Sequence, residues 1–319
     1  MCQYCDLIKA IDRYIQKADD ELEDALEKEG FADPEGTAKE INSIEDQVSE
    51  ILDNQTSVFL DALKKAADNG LDLQAFFADV WPELMASDIT GEELLKLFLN
   101  EFTETIPKIT TNYLMEMDSE LVADQITKRT TAWIDSWSKD LADLMKLNSH
   151  EEIGKVLKDS IANGKSIEEL TRDIMEKGIR NTRYKARRVA ITETLRAHSY
   201  AREESIRQNP AATGKEWVHT GAYRNEPRQN HVDMNGQIVG KAEPFELTGK
   251  DGTIYYPMVP RDSSLPASES VNCHCIHRAV IDDDVLGLSL EERKRLQAEI
   301  IAEDDKAWEA ENTADADSE

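Results

Sequence analysis

Ile8, Ile11, Ile15, Ala18, Leu22 and Ala25 recur at alternating steps of three and four, and Ile41, Ile44, Val48, Ile51, Gln55 and Val58 repeat that rhythm. Residues three and four apart share one face of an α-helix, whereas a strand repeats every second residue. Each run therefore predicts a helix with a narrow apolar seam of the coiled-coil kind. Between them, Gly30-Phe31-Ala32-Asp33-Pro34-Glu35-Gly36 can continue neither helix. The simplest object is an antiparallel helical hairpin over roughly residues 7–60, with arms of about 30 Å. Its outward faces are mostly acidic, which suits either a solvated surface or an arm that docks on another protein.

Helical patterning continues through the next 150 residues. Leu94, Leu95, Phe98 and Phe102 face one way, with Pro107 as the expected stop. A long segment over about 112–146 sets Tyr113, Met117, Leu121, Trp133, Trp137, Leu141 and Leu144 near one stripe, the pattern of a core-facing helix. Ser166-Ile167-Glu168-Glu169 reads as a capping box, and Gly178 as the stop of that helix. A further helix over about 182–208 ends before Asn209-Pro210. After residue 212 the texture changes. Short apolar runs (Trp217-Val218, Ile238-Val239, Ile254-Tyr255-Tyr256 and 276–281) alternate with turns such as Met234-Asn235-Gly236 and Lys250-Asp251-Gly252. The fold class is thus α+β: a mainly helical N-terminal part with the hairpin, then a small α+β domain. The expected boundaries are 1–150, 151–282, and an acidic helix with a disordered tail over 283–319.

Charge divides the chain in the same way. The whole carries 37 Lys+Arg against 65 Asp+Glu, a net −28. Residues 1–171 hold −22 of this, 172–228 hold +6, 229–281 hold −2, and 282–319 hold −10. General coating of nucleic acid is excluded, because phosphate binding needs Lys and Arg to displace counterions. No apolar run approaches the roughly 18 residues of a membrane span, and the first residues lack the basic and apolar regions of a secretory signal. The chain is expected to fold in a cytoplasm, where its four cysteines remain thiols or bind metal.

Five of the six histidines and two of the four cysteines lie between 198 and 277. Cys273-His274-Cys275-Ile276-His277 is the densest cluster of ligand-type side chains. On an extended strand Cys273, Cys275 and His277 would project together, as most of a tetrahedral zinc site. His231 or His219 could add the fourth ligand from a neighbouring loop. Reduced buried thiols or a reactive cysteine with His274 or His277 as base remain open. Cys2-Gln3-Tyr4-Cys5 has knuckle spacing without a second pair nearby. In the 182–208 helix, Arg183, Lys185, Arg187, Arg188 and Arg196 either neutralise the acidic helices or touch DNA phosphate or an acidic partner. Glu193, His231 and Glu269 could form an acid–base trio on paper. No Gly-rich phosphate loop, nucleophile elbow or His-Glu-x-x-His pair is present.

From about 160 to 281 the order of motifs resembles the phage Mu F-like head morphogenesis family, the minor capsid proteins of tailed phages and prophages. The matching residues run Gly164-Lys165-Ser166, then 186–193 ending in Thr192-Glu193, then Lys215-Glu216-Trp217. They continue with the turn over 226–231 ending in His231, Asn235-Gly236, Phe245, Tyr256-Pro257 and Asn272-Cys273-His274-Cys275. His274 stands where the family often has Arg, and Ile191 where it has Arg before Thr-Glu. The resemblance implies a minor head protein that associates with the portal and with capsid or scaffold proteins. It would assist head assembly or DNA packaging and ejection, residing in the virion and, during assembly, in the host bacterial cytoplasm. It also implies that His231, Cys273 and Cys275 converge, which favours structural zinc. A non-enzymatic role is expected. The alternatives are a phage-delivered hydrolase or transferase acting on nucleic acid or nucleotide, and a DNA-contact module built on the 182–208 helix.

Overall fold

The computed structural model describes residues 21–177, 182–221 and 227–316. The hairpin seam up to Ala18, the Cys2 and Cys5 pair, Gly178 and Glu226 lie outside the described residues. Five long helices come first: α1 (Pro34–Asp68), α2 (Thr90–Met117), α3 (Lys128–Ala162), α4 (Ile167–Lys177) and α5 (Thr182–Gln208). The α+β part follows as β1 (Ala212–Val218), α6 (Gln229–Asp233), β2 (Ile238–Gly240), β3 (Leu247–Thr248), β4 (Ile254–Tyr255), α7 (Ala267–Ser270) and β5 (Ile276–Ile281). α8 (Leu290–Ala316) closes the described chain. The fold is mainly helical with small antiparallel sheets confined to the C-terminal part, in keeping with the α+β class. Among the described residues no helix is long and apolar enough to cross a membrane.

The seam of α1 departs from the heptad. Ile41, Ile44 and Val48 are buried, but Val58 is exposed, and burial passes instead to Leu52, Gln55, Phe59, Leu63 and Ala66. These positions recur in groups of eleven rather than seven, the drift of a straight 3.6-residue helix that no supercoil pulls back to 3.5. Two other expectations give way. Pro107 lies inside α2 rather than at its end. Ile106, Ile109 and Tyr113 are buried around it, and the carbonyl it leaves unbonded belongs to the exposed Thr103. The segment over 112–146 is two helices, not one. Asp118 accepts from Glu120 N (3.1 Å) and pairs with Arg293 (2.7 Å), while Thr127 donates its N–H and its hydroxyl to Glu204 (2.8 Å each). These bonds replace the helical ladder between Met117 and Lys128.

The chain divides into two compact units, both discontinuous in sequence. One holds the described residues among 43–101 and 134–190. Its core gathers Phe59, Leu63, Phe76, Ile153, Leu157, Ile167, Leu170 and Ile174, with Trp81 edge-on to Phe59. The capping box forms as read: Ser166 N donates to Glu169 (2.8 Å) and Glu169 N to the Ser166 hydroxyl (3.2 Å).

The other unit holds the described residues among 21–42, 102–133 and 191–316. Its sheet has the order β2-β1-β5, antiparallel throughout, with Trp217 opposite His277. β3 and β4 form a separate hairpin. A Cβ on Gly214 would stand 2.7 Å from the Val239 carbonyl, so the close β1–β2 approach requires glycine there. The second half of α5 is buried on every side even though it is polar. Glu203 takes an ion pair from Lys215 (2.8 Å) and another from Arg207 (3.2 Å). Burial works to raise its pKa, but a hydrogen bond from His277 and the two cations outweigh that and hold it near 2. His198 lies between Thr37 (3.0 Å) and Tyr113 (2.8 Å). Thr37 gives its proton to backbone carbonyls and Tyr113 accepts from Ala32 N. Nε2 therefore carries the proton and Nδ1 accepts from the tyrosine.

Burial pushes the His198 pKa down to about 3, with Arg202 and Arg261 adding to the shift. The folded state thus refuses a proton that the unfolded chain accepts near its ordinary pKa of about 6.5. Stability is complete above that value and falls as pH drops toward 3. About 2 kcal/mol should be lost between about pH 7.5 and about pH 5 through this residue. Urea denaturation at the two pH values checks it: His198→Gln should flatten the dependence by about that amount, and an unchanged slope contradicts the assignment.

Candidate metal centre

The centre lies in the α+β unit, and each part of it comes from a different short element. α6 carries His231, α7 carries Glu269, and the turn over 271–275 carries both cysteines just before β5 begins. Asn272 takes a left-handed conformation (φ 54°), which an asparagine tolerates and which turns the chain between α7 and the first thiol. Trp217, Met234, Phe245, Leu247 and Leu265 pack around the thiols, and the Trp217 ring stands edge-on to His231 at 6.0 Å.

His231, Cys273 and Cys275 each offer one ligand atom, and these atoms all lie within 4.8 Å of one another. His231 Nδ1 is 3.5 Å from Cys273 Sγ and 3.7 Å from Cys275 Sγ. The other ring nitrogen, Nε2, is 2.9 Å from Glu269 Oε2, which also accepts from the Asn230 amide at 3.0 Å. A carboxylate only accepts, so Nε2 carries the proton and the Nδ1 lone pair faces the sulfurs. This carboxylate–imidazole arrangement is the one that orients a metal-binding histidine. His219, in the loop after β1, brings its Nδ1 to 3.5 Å from Cys275 Sγ.

The two thiols are pushed in opposite directions. The hydrogen bond with Cys275, aided by His231 and by the Arg261 charge, holds Cys273 well below the ordinary thiol range. Cys275, donating to that thiolate and buried, is pushed up. Arg261 is itself buried, left-handed (φ 63°), and donates to the carbonyls of Cys273 (2.5 Å) and Cys275 (3.0 Å) and to the Ser199 hydroxyl (2.6 Å). A guanidinium thus reaches the cysteine turn from residue 261, while His274, between the thiols, pairs with Glu29 (2.9 Å).

His277 is not brought into the cluster. The cysteines precede the strand, so the every-second-residue rule does not extend to them, and His277 Nε2 stands 3.3 Å from Glu203 instead. Glu193 binds Arg196 through both oxygens (3.0 and 2.9 Å). It is engaged there rather than with His231. The basic residues of α5 meet carboxylates of their own unit: Arg183 pairs with Glu45 and Asp46, Arg187 with Glu45, and Lys185 with Glu152. Arg188 lies over the Tyr184 ring. Arg261 carried no sequence signal, since an isolated Arg after a proline looks like a surface residue, and Asn230 stood only as part of the 226–231 turn.

The family described as Phage Mu protein F like protein matches residues 151–278, a span that includes every side chain of this centre. Uncharacterized protein YqbB of Bacillus subtilis (strain 168) is 35% identical over 300 residues, 93% of this chain and 97% of YqbB. The chain belongs to the phage Mu F-like family. Family membership points to a phage head morphogenesis protein with capsid-related partners and a place in the virion. The YqbB likeness also extends into the helical N-terminal half, beyond the residues that the family match covers. No solved structure matches the chain.

In metal-free protein, one of these buried thiols should already be ionised at neutral pH. Thiolate ultraviolet absorbance of chelator-treated protein should correspond to about one thiolate per chain, disappear on acidification and vanish in Cys273→Ser. Absorbance that arises only in the ordinary alkaline thiol range contradicts the lowered Cys273 pKa.

Proposed function

We propose that this protein is a minor head protein of a phage or prophage that binds the portal and assists head assembly or DNA packaging and ejection. We further propose that its α+β domain is locked by structural zinc. The observation that carries the first part is membership of the Mu F-like family, supported by a relative aligned over nearly the whole chain. Pull-down with the cognate portal protein tests it: the full chain should be retained, and failure to bind removes portal association. Peptides of the chain should also be found in purified particles.

The zinc reading rests on the donor set. Ligands about 2.3 Å (sulfur) and about 2.0–2.1 Å (nitrogen) from one tetrahedral ion stand about 3.6 Å apart, and the sulfur–imidazole separations here are 3.5, 3.7 and 3.5 Å. Two thiolates balance a divalent cation, so a buried site becomes neutral when filled. Elemental analysis should find about one zinc per chain, and Cys273→Ser or Cys275→Ser should lose it. Chelation should lower Tm, with zinc restoring it. Metal content unchanged by either substitution sinks this part.

A thiolate, an imidazole and a carboxylate in line also form the set used in nucleophilic catalysis. Cys273 is only 3% exposed and His231 2%, however, so a substrate has no approach to them. Contact with DNA through α5 is likewise disfavoured, because Arg183, Lys185, Arg187 and Arg196 already hold carboxylates.

A further inference from the structure

We infer that His219 is the fourth ligand of the cluster, making it a closed centre of two cysteines and two histidines that holds the fold together. The inference rests on the zinc reading above and adds to it the coordination number, which decides between a structural and a catalytic ion. A catalytic site keeps one position open for water or substrate, whereas a structural site fills all four with protein.

Three observations carry it. The Nδ1 of His219 stands 3.5 Å from Cys275 Sγ, the same separation as that between His231 and Cys273. The backbone that bears it is tied on both flanks. His219 N donates to Asn235 Oδ1 (2.9 Å) in the turn after α6, and the Thr220 hydroxyl donates to the carbonyl of His274 (2.8 Å), between the two thiols. The main chain is thus tied to the turn that bears both thiols. The partly buried ring lies outside the 4.8 Å set formed by the other three donor atoms and would close the fourth side by turning toward His231 and Cys273. The other imidazoles of the α+β part are engaged elsewhere: His274 Nδ1 with Glu29, and His277 Nε2 with Glu203. Glu269 serves as acceptor for the far side of His231 and for Asn230.

Cobalt replaces zinc in such sites and reports its ligands by visible absorption. Full-length protein, stripped of metal and titrated with cobalt, should give the intense bands of a four-coordinate ion together with a thiolate charge-transfer band. Because His219 is only partly buried, His219→Ala should keep its circular dichroism. It should bind cobalt about tenfold or more weaker, with a shifted visible spectrum, and added imidazole should restore the wild-type bands by filling the vacated position. A His219→Ala protein with wild-type spectrum and affinity overturns the fourth ligand and leaves the zinc reading standing. Wild-type protein that takes up no cobalt or zinc through its thiolates overturns both.

Discussion

A polar helix buried on all sides sets the terms for the α+β unit. A charged or hydroxyl group removed from water must find a partner or it destabilises the fold by several kcal/mol. From Thr192 to Gln208, α5 presents such groups in every direction. Glu203 meets Lys215 and Arg207, and Glu204 meets Thr127 and Thr130. His198 meets Thr37 and Tyr113, and Arg202 reaches the carbonyls of Gly30 and His277. Each bond fixes one neighbouring segment, so the helix acts as a template on which strand β1, strand β5 and the segment ahead of α3 are registered.

The thiol cluster inherits its position from that template. Lys215 and Trp217 are on one strand. The first faces Glu203, and the second forms the wall against His231. Arg196 and Ser199 of α5 engage Arg261, whose guanidinium then holds the carbonyls of both cysteines. The route from helix to thiols is therefore two hydrogen-bonded steps long.

Much of this could be read from residues alone. The capping box at Ser166, a helix break opening at Gly30 and the switch from helix to short strands after 212 follow from local chemistry, and the convergence of His231 with Cys273 and Cys275 from the family resemblance. The break is shorter than the 30–36 expected, because Pro34, Glu35 and Gly36 already belong to α1. The misreadings share one cause. Pro107 as a stop, the single 112–146 helix and His277 as a ligand each extended a local rule past the point where long-range bonds decide. Asp118 with Arg293, and Glu204 with Thr127, end helices that periodicity would continue. The basic residues of α5 neutralise carboxylates, one of the two roles their sequence offered, and Arg183 and Arg187 do so with acidic residues of α1.

By itself, the sequence determined helical content, the α+β change of texture and the family, because periodicity, turn chemistry and motif order are properties of short segments. Only the tertiary structure decided that His219 also approaches the thiols and that His277 does not. His231 and His219 sit 42 and 56 residues away from the cysteines they approach. His277, two residues away from Cys275, faces a buried glutamate. The physical reason is that coordination depends on where lone pairs point in space. That direction is set by packing around α5 and β1, and spacing along the chain does not encode it.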